Sequence, residues 1–287
     1  MFLIVGLAIV FGSIVTGYTM HHGELAVLIQ VNEFIIIGGA AFGAVIVGNP
    51  PWVVKGIISQ VTGLLKPSPY SKNAFSELLQ VLYDIFYAAR RDGLVGIESH
   101  VETPEESEIF NKYPSFSNNH HAVSFLADTM KVLLTGAVED HHLAEILDLD
   151  LEQHHEEAMA VPTALQNVAD AMPGFGIVAA VLGVIITMGK IGGSPEAVGE
   201  SVAAALVGTF LGILLAYGVV GPMAQAITNR VHGEERYLAC IRTALLSFAR
   251  GDPPITSVEF ARRTMDPEDR PSFSELEDLT RKRGRGD

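Results

Sequence analysis

The side chains able to do chemistry are few in this chain, and their spacing limits what they can do. Ten histidines include four adjacent pairs, His21-His22, His120-His121, His141-His142 and His154-His155. Neighbours on a helix diverge by about 100°, whereas metal ligation wants residues on one face, such as i and i+4. The pairs therefore read as solvated faces, with His142 beside Glu145, or His155 beside Glu156, as weak contributors; no metal is expected. In "ARRDGLVGIESHVE", Arg90 and Arg91 stand against Glu98. This is either a solvated surface with an ion pair worth about 0–1 kcal/mol or a charged docking face for another protein. No phosphate-binding glycine loop, nucleophile elbow or HExxH zinc motif is present, so hydrolytic enzyme chemistry and bound cofactors are not expected. Cys240 is the single cysteine, which leaves no disulfide framework.

The elements that must position these residues are unusually apolar. Of 287 residues, 48% are hydrophobic, and they gather in four blocks, residues 2–20, 34–54, 171–188 and 201–220. Drawn this way, the blocks contain no Asp, Glu or Arg. A helix rises about 1.5 Å per residue, so roughly 20 residues cross a hydrocarbon core of about 30 Å. The second block reaches its interface at "GNPPWVV", where two prolines stop or bend the helix and Trp52 is a headgroup-level anchor. The N-terminal run lacks the basic region and cleavage site of a secretory signal, and reads as a retained first span.

Inside spans three and four the polar residues are Thr187, Thr209 and Tyr217. An ion path through a bilayer normally shows an intramembrane carboxylate, His or Lys, and this chain is expected to have none. Any carrier would then belong to a partner, with Thr209 offering a hydroxyl beside it. Small residues are plentiful: Gly176, Ala179, Ala180 and Gly183 on one span, Ala203, Ala204, Gly208 and Gly212 on the other. They permit close backbone approach, either between helices of one chain or in a ring of chains around a shared axis. Pro173 opens span three, and Pro222 in "YGVVGPMAQ" closes span four at the same level. Each removes an amide hydrogen and allows a kink, so the pair marks span ends or a hinge.

Lys and Arg orient the spans. Of 19, seven lie between Lys55 and Lys131, eleven lie from Arg230 onward, and Lys190 alone borders the other side. Four spans with both termini cytoplasmic satisfy that asymmetry, and the net charge of −14 argues against nucleic acid as a partner. Between the spans, "SKNAFSELLQVLYDIFYAARR" repeats apolar residues at three and four, from Phe75 through Leu78, Leu79, Leu82 and Phe86 to Ala89, with Ser71 as cap. "TPEESEIF" reads as another helix, capped by Thr103. The residues from "DPEDRPSF" onward read as a mobile charged tail. The expectation is an all-α polytopic membrane protein with four transmembrane helices. It comprises an N-terminal hairpin (1–54), a cytoplasmic helical domain (55–170), spans three and four (171–222), and a cytoplasmic helix with tail (223–287).

Taken together, "ARRDGLVGIE", "DAMPGFGIVAAVLGVIITMG" and "LVGTFLGILLAYGVVGPMA" resemble the flagellar motor stator A subunit, the MotA family, in its longer form. The resemblance covers nearly the whole chain. It implies a bacterial inner-membrane pentamer around a dimeric MotB-type B subunit whose single span carries a proton-binding Asp. By the same resemblance, Arg90 and Glu98 meet the rotor protein FliG, Pro173 and Pro222 couple ion passage to movement, and Thr209 faces the partner's Asp; Tyr217, as a polar residue of span four, is assigned to the ion path. Gly174, where sodium-driven relatives tend to place a hydroxyl, favours protons. The alternatives are an ExbB/TolQ-type energiser, which the N-terminal hairpin fits poorly, a self-sufficient ion channel and a passive scaffold.

Overall fold

The computed structural model describes residues 2–136, 139–189, 192 and 194–281 of the chain. Lys190, the basic residue on the opposite side in the orientation argument, lies outside the described residues. All regular structure among the described residues is helical. In chain order the α-helices are α1 (Phe2–Met20), α2 (Leu25–Leu28), α3 (Val31–Gly48), α4 (Pro51–Gly63), α5 (Lys72–Arg91), α6 (Glu98–Glu102) and α7 (Pro114–Ser117). They continue as α8 (His120–Leu134), α9 (Asp140–Met188), α10 (Pro195–Leu215), α11 (Gly221–Ala249), α12 (Pro254–Thr264) and α13 (Phe273–Arg281), with a π turn over Ala216–Val220. Among the described residues four stretches are long and apolar enough to cross a membrane: Leu3–Met20, Leu25–Gly48, His141–Met188 and Pro195–Ala249.

Contacts divide the chain into two compact units. The first comprises Met1–Pro67 and Glu157–Asn229. Here the second span begins and ends earlier than block two was drawn, because Pro50 and Pro51 start a separate helix and the Asn49 side chain caps the preceding turn at Val45 O, 2.9 Å away. Trp52 is half exposed at the start of α4. Moving the span toward the N-terminus brings Glu33 into it, so the expectation of acid-free spans is corrected. The buried contacts of this unit run through Ile37 and Ala41 of α3, Met172 and Ala179 of α9, and Val207 and Leu211 of α10.

The second unit comprises Ser68–Glu156 and Arg230–Asp287. Its organising element is α5, whose Phe75, Leu78, Leu79, Leu82, Phe86 and Ala89 are all buried, as the three-and-four spacing requires. The Ser71 side chain accepts from the Ala74 amide and starts the helix. Each fully buried Leu or Phe on this stripe contributes roughly 1.5–3 kcal/mol. The stripe meets Phe110, Phe116, Leu126, Tyr237 and Ile241 in one core, and Phe86 stacks on Phe248 with centroids 4.4 Å apart.

Two local expectations fail here. Pro104–Glu106 is a short 3-10 turn without a side-chain cap, because the Thr103 hydroxyl bonds back to Ser99 O at 3.0 Å. The supposed tail folds through residue 281: the Ser272 hydroxyl accepts from the Glu275 amide at 3.2 Å while the Glu275 carboxylate accepts from the Ser272 amide at 2.6 Å. This reciprocal capping box starts α13, whose Leu276 is fully buried. Residues 282–287 lie outside the described residues.

Candidate ion path and coupling site

Glycines bring α9 and α10 into backbone contact. A Cβ at Gly176 would stand 2.8 Å from Gly208 O and 3.3 Å from the Thr209 Cα. One at Gly212 would stand 2.8 Å from Met172 O and 2.9 Å from the Gly176 Cα. Gly183 is equally close to Ala205. The small residues thus serve packing within one chain, which is the plainer of the two readings. The outward faces remain apolar: Ile177, Val181 and Ile185 on α9, and Leu206 and Ile213 on α10, are exposed.

Of the polar residues in these helices, Thr187 is buried and its hydroxyl donates to Gly183 O at 2.8 Å, which ties it to its own helix. Thr209 sits half buried at the crossing, against Gly176 and three residues along α9 from Pro173. Tyr217 lies on the π turn and is 67% exposed.

Neither proline ends a helix. α9 runs unbroken through Pro162 and Pro173. At Pro222 the chain widens into the π turn and resumes as α-helix one residue before the proline. A proline ring clashes with the carbonyl four residues back and lacks the amide that would bond to it. For Pro222 that residue is Gly218, inside the widened turn, so the π turn absorbs the conflict. A Cβ at Gly218 would stand 3.1 Å from Val10 Cγ1 of α1. A Cβ on Gly221 would lie 3.9 Å from Ala169 Cβ, one helical turn before Pro173, which places the two prolines at neighbouring levels.

Glu33, absent from the sequence-based candidates, is 7% exposed in the first turn of α3. A Cβ at Gly208 would come within 2.5 Å of its Oε2, and that oxygen has no hydrogen-bond partner among the described residues. Glu33 thus packs on α10 at the position directly before Thr209. The signal in the sequence was a lone acid one residue before Phe34, where block two was taken to begin.

Arg90 and Glu98 are both exposed, but they do not share a helix face. Gly93, at a φ of +78°, and a 3-10 turn over Leu94–Ile97 separate α5 from α6. Arg90 donates to Gly251 O and, at 3.1 Å, to Asp252 O, while Arg91 pairs with Asp92 at 2.9 Å. Among the described residues Arg90 is engaged by Gly251 and Asp252 rather than by Glu98.

Residues 4–93 match the family model described as Motility protein A N-terminal, and residues 117–239 match the MotA/TolQ/ExbB proton channel family. Motility protein A of Salmonella typhimurium and that of Escherichia coli are each 36% identical over 281 residues, 98% of this chain and 95% of theirs. The chain belongs to the motility protein A family. It is accordingly a flagellar stator subunit and a multi-pass inner-membrane protein; the family is not an enzyme class. Chemotaxis protein LafT of Vibrio parahaemolyticus is also 36% identical, over 91% of this chain and 92% of its own. The fold is shared with C. jejuni MotAB (TM-score 0.77, 21% identity, 94% of this chain and 98% of that one). It is shared too with the flagellar MotAB stator complex of Bacillus subtilis (TM-score 0.72, 19% identity, 89% and 92%).

Proposed function

We propose that this stator subunit is proton-driven and works in a ring, with five copies around a MotB-type partner whose intramembrane Asp carries the ion past Thr209. The observation that carries this reading is the α9–α10 crossing. It gathers Thr209, the Pro173 turn and buried Glu33 beside an outward surface of Ile177, Val181, Leu206 and Ile213 that bears no charge of its own. A chain of this design hands the titrating step to another side chain and keeps Glu33 to handle ions where they enter or leave its own helices. Both termini are placed in the cytoplasm, with the second compact unit there and its Arg90 and Glu98 directed to the rotor protein FliG. Tyr217 and Pro222, at the π turn, belong to the coupling end of the path.

One charge crossing 100 mV releases about 2.3 kcal/mol, comparable with the 1–3 kcal/mol typical of coupling between sites. One proton therefore suffices for one small step of the ring. The test is Pro173→Leu in the motile cell. Swimming is expected to be lost while membrane levels stay normal, and normal swimming would overturn the proposed coupling role.

A further inference from the structure

In the second unit the helices α8, α9 and α11 bring together three side chains that are far apart in sequence, His121, His154 and Glu234. One ligand atom from each lies within 4.8 Å of the other two. Neighbours on a helix tend to diverge, and in the pairs His120-His121 and His154-His155 the two rings do not serve one point together. The tertiary structure makes a different use of them, turning one member of each pair toward the same point. His121 and His154 meet edge to face, with ring centroids 4.9 Å apart at 64°. Their sequence neighbour His155 instead contacts Glu235, which also receives His232 at 3.0 Å.

We propose that His121, His154 and Glu234 form a binding site for a divalent transition-metal ion of the zinc class. The donors are two imidazole nitrogens and one carboxylate oxygen, a set that suits Zn²⁺ and is poor for Mg²⁺ or Ca²⁺, which take six or more oxygens. With metal–ligand bonds of about 2.0–2.1 Å, ligand atoms of a tetrahedral site stand about 3.3 Å apart. His154 Nε2 and Glu234 Oε1 are 3.4 Å apart, an edge of that tetrahedron. His121 is the exposed member and closes the triad by side-chain rotation.

Outer contacts support the ligands. Tyr70 lines one cleft together with His121 and Glu234, which puts its hydroxyl where a second contact can orient a ligating carboxylate. A cleft of about 320 Å³, lined by His121 and His154 together with Ser124, Asp128 and Asp150, leaves room for a water in the fourth position. A metal there would tie together residues 121, 154 and 234, and so clamp three helices of this unit. The site is independent of the ion path and its test does not depend on motor function.

The experiment uses the full-length chain, purified in detergent without a histidine tag and titrated with Zn²⁺ against a chromogenic chelator, then with Co²⁺ for its visible spectrum. One Zn²⁺ per chain is expected, with intense tetrahedral Co²⁺ bands and a thermal midpoint raised by several degrees on binding. His154→Ala and the isosteric Glu234→Gln should each weaken binding at least about tenfold, a loss seen even for outer-contact residues of metal sites. His155→Ala should leave it within about threefold. Absence of stoichiometric binding, or a Co²⁺ spectrum of the weak octahedral kind, overturns the proposal in the wild-type chain alone. So does binding that is lost on replacing His141 and His142, which form an exposed cluster with Glu139, and kept in Glu234→Gln.

Discussion

Asp84 illustrates how one residue's surroundings set its chemistry. It accepts a hydrogen bond from the Tyr113 hydroxyl at 2.9 Å, and burial pushes its carboxyl up to about 6, with Lys112 opposing. The folded chain therefore holds a proton between about pH 4 and 6 that the unfolded chain releases. The resulting contribution to stability is present below that window and is lost as pH rises through it. Asp84→Asn should consequently raise the thermal midpoint relative to wild type at neutral pH, with the gain vanishing near pH 4. A difference that grows toward low pH would contradict the burial account. Glu33 makes a parallel point about recognition. A single acid at the edge of an apolar run reads as a flank until the helix start is known, and α3, which packs on α10, starts at Val31 and so includes it.

At the scale of elements, the α9–α10 contact rests on glycine in a way that can be measured. Met172 O and the Gly176 Cα are backbone atoms and cannot yield to a side chain at position 212. Gly212→Val should separate the helices at a cost of about 1–3 kcal/mol, seen as a lower thermal midpoint in detergent and reduced motility. Gly174→Ala is the contrast, since a Cβ there meets nothing within 4 Å. That substitution should be neutral or slightly stabilising through helix propensity alone. Equal effects from both would remove the packing argument. The same scale shows where sequence patterns suffice: the α5 stripe from Phe75 to Ala89 is legible because its period is local. The capping box at Ser272 and Glu275 was equally local, but the charge around it disguised a helix as a tail.

At the scale of the molecule, the prediction concerns what the chain can do alone. The exposed residues beside the α9–α10 crossing, Ile177, Val181, Leu206 and Ile213, are apolar, and Glu33 is buried against Gly208 within one chain. Liposomes containing this chain alone should pass no protons, whereas liposomes containing it with a MotB-type partner should. In the combined liposomes Glu33→Gln should slow flux at least about tenfold, equivalent to about 1.4 kcal/mol in barrier. Proton current through the chain alone would favour the self-sufficient channel, with Glu33 as its ion site.

The number of spans, the all-helical class, the α5 core stripe and the order of the two prolines were determined by sequence, because hydropathy and helical period act over a few neighbouring residues. Tertiary structure decided what depends on residues distant along the chain. It placed Glu33 against Gly208, widened the helix before Pro222, separated Arg90 from Glu98, and turned His121 and His154 toward Glu234. Each of these depends on which helix face meets which, and side-chain spacing within a single helix carries no record of the partner it will meet.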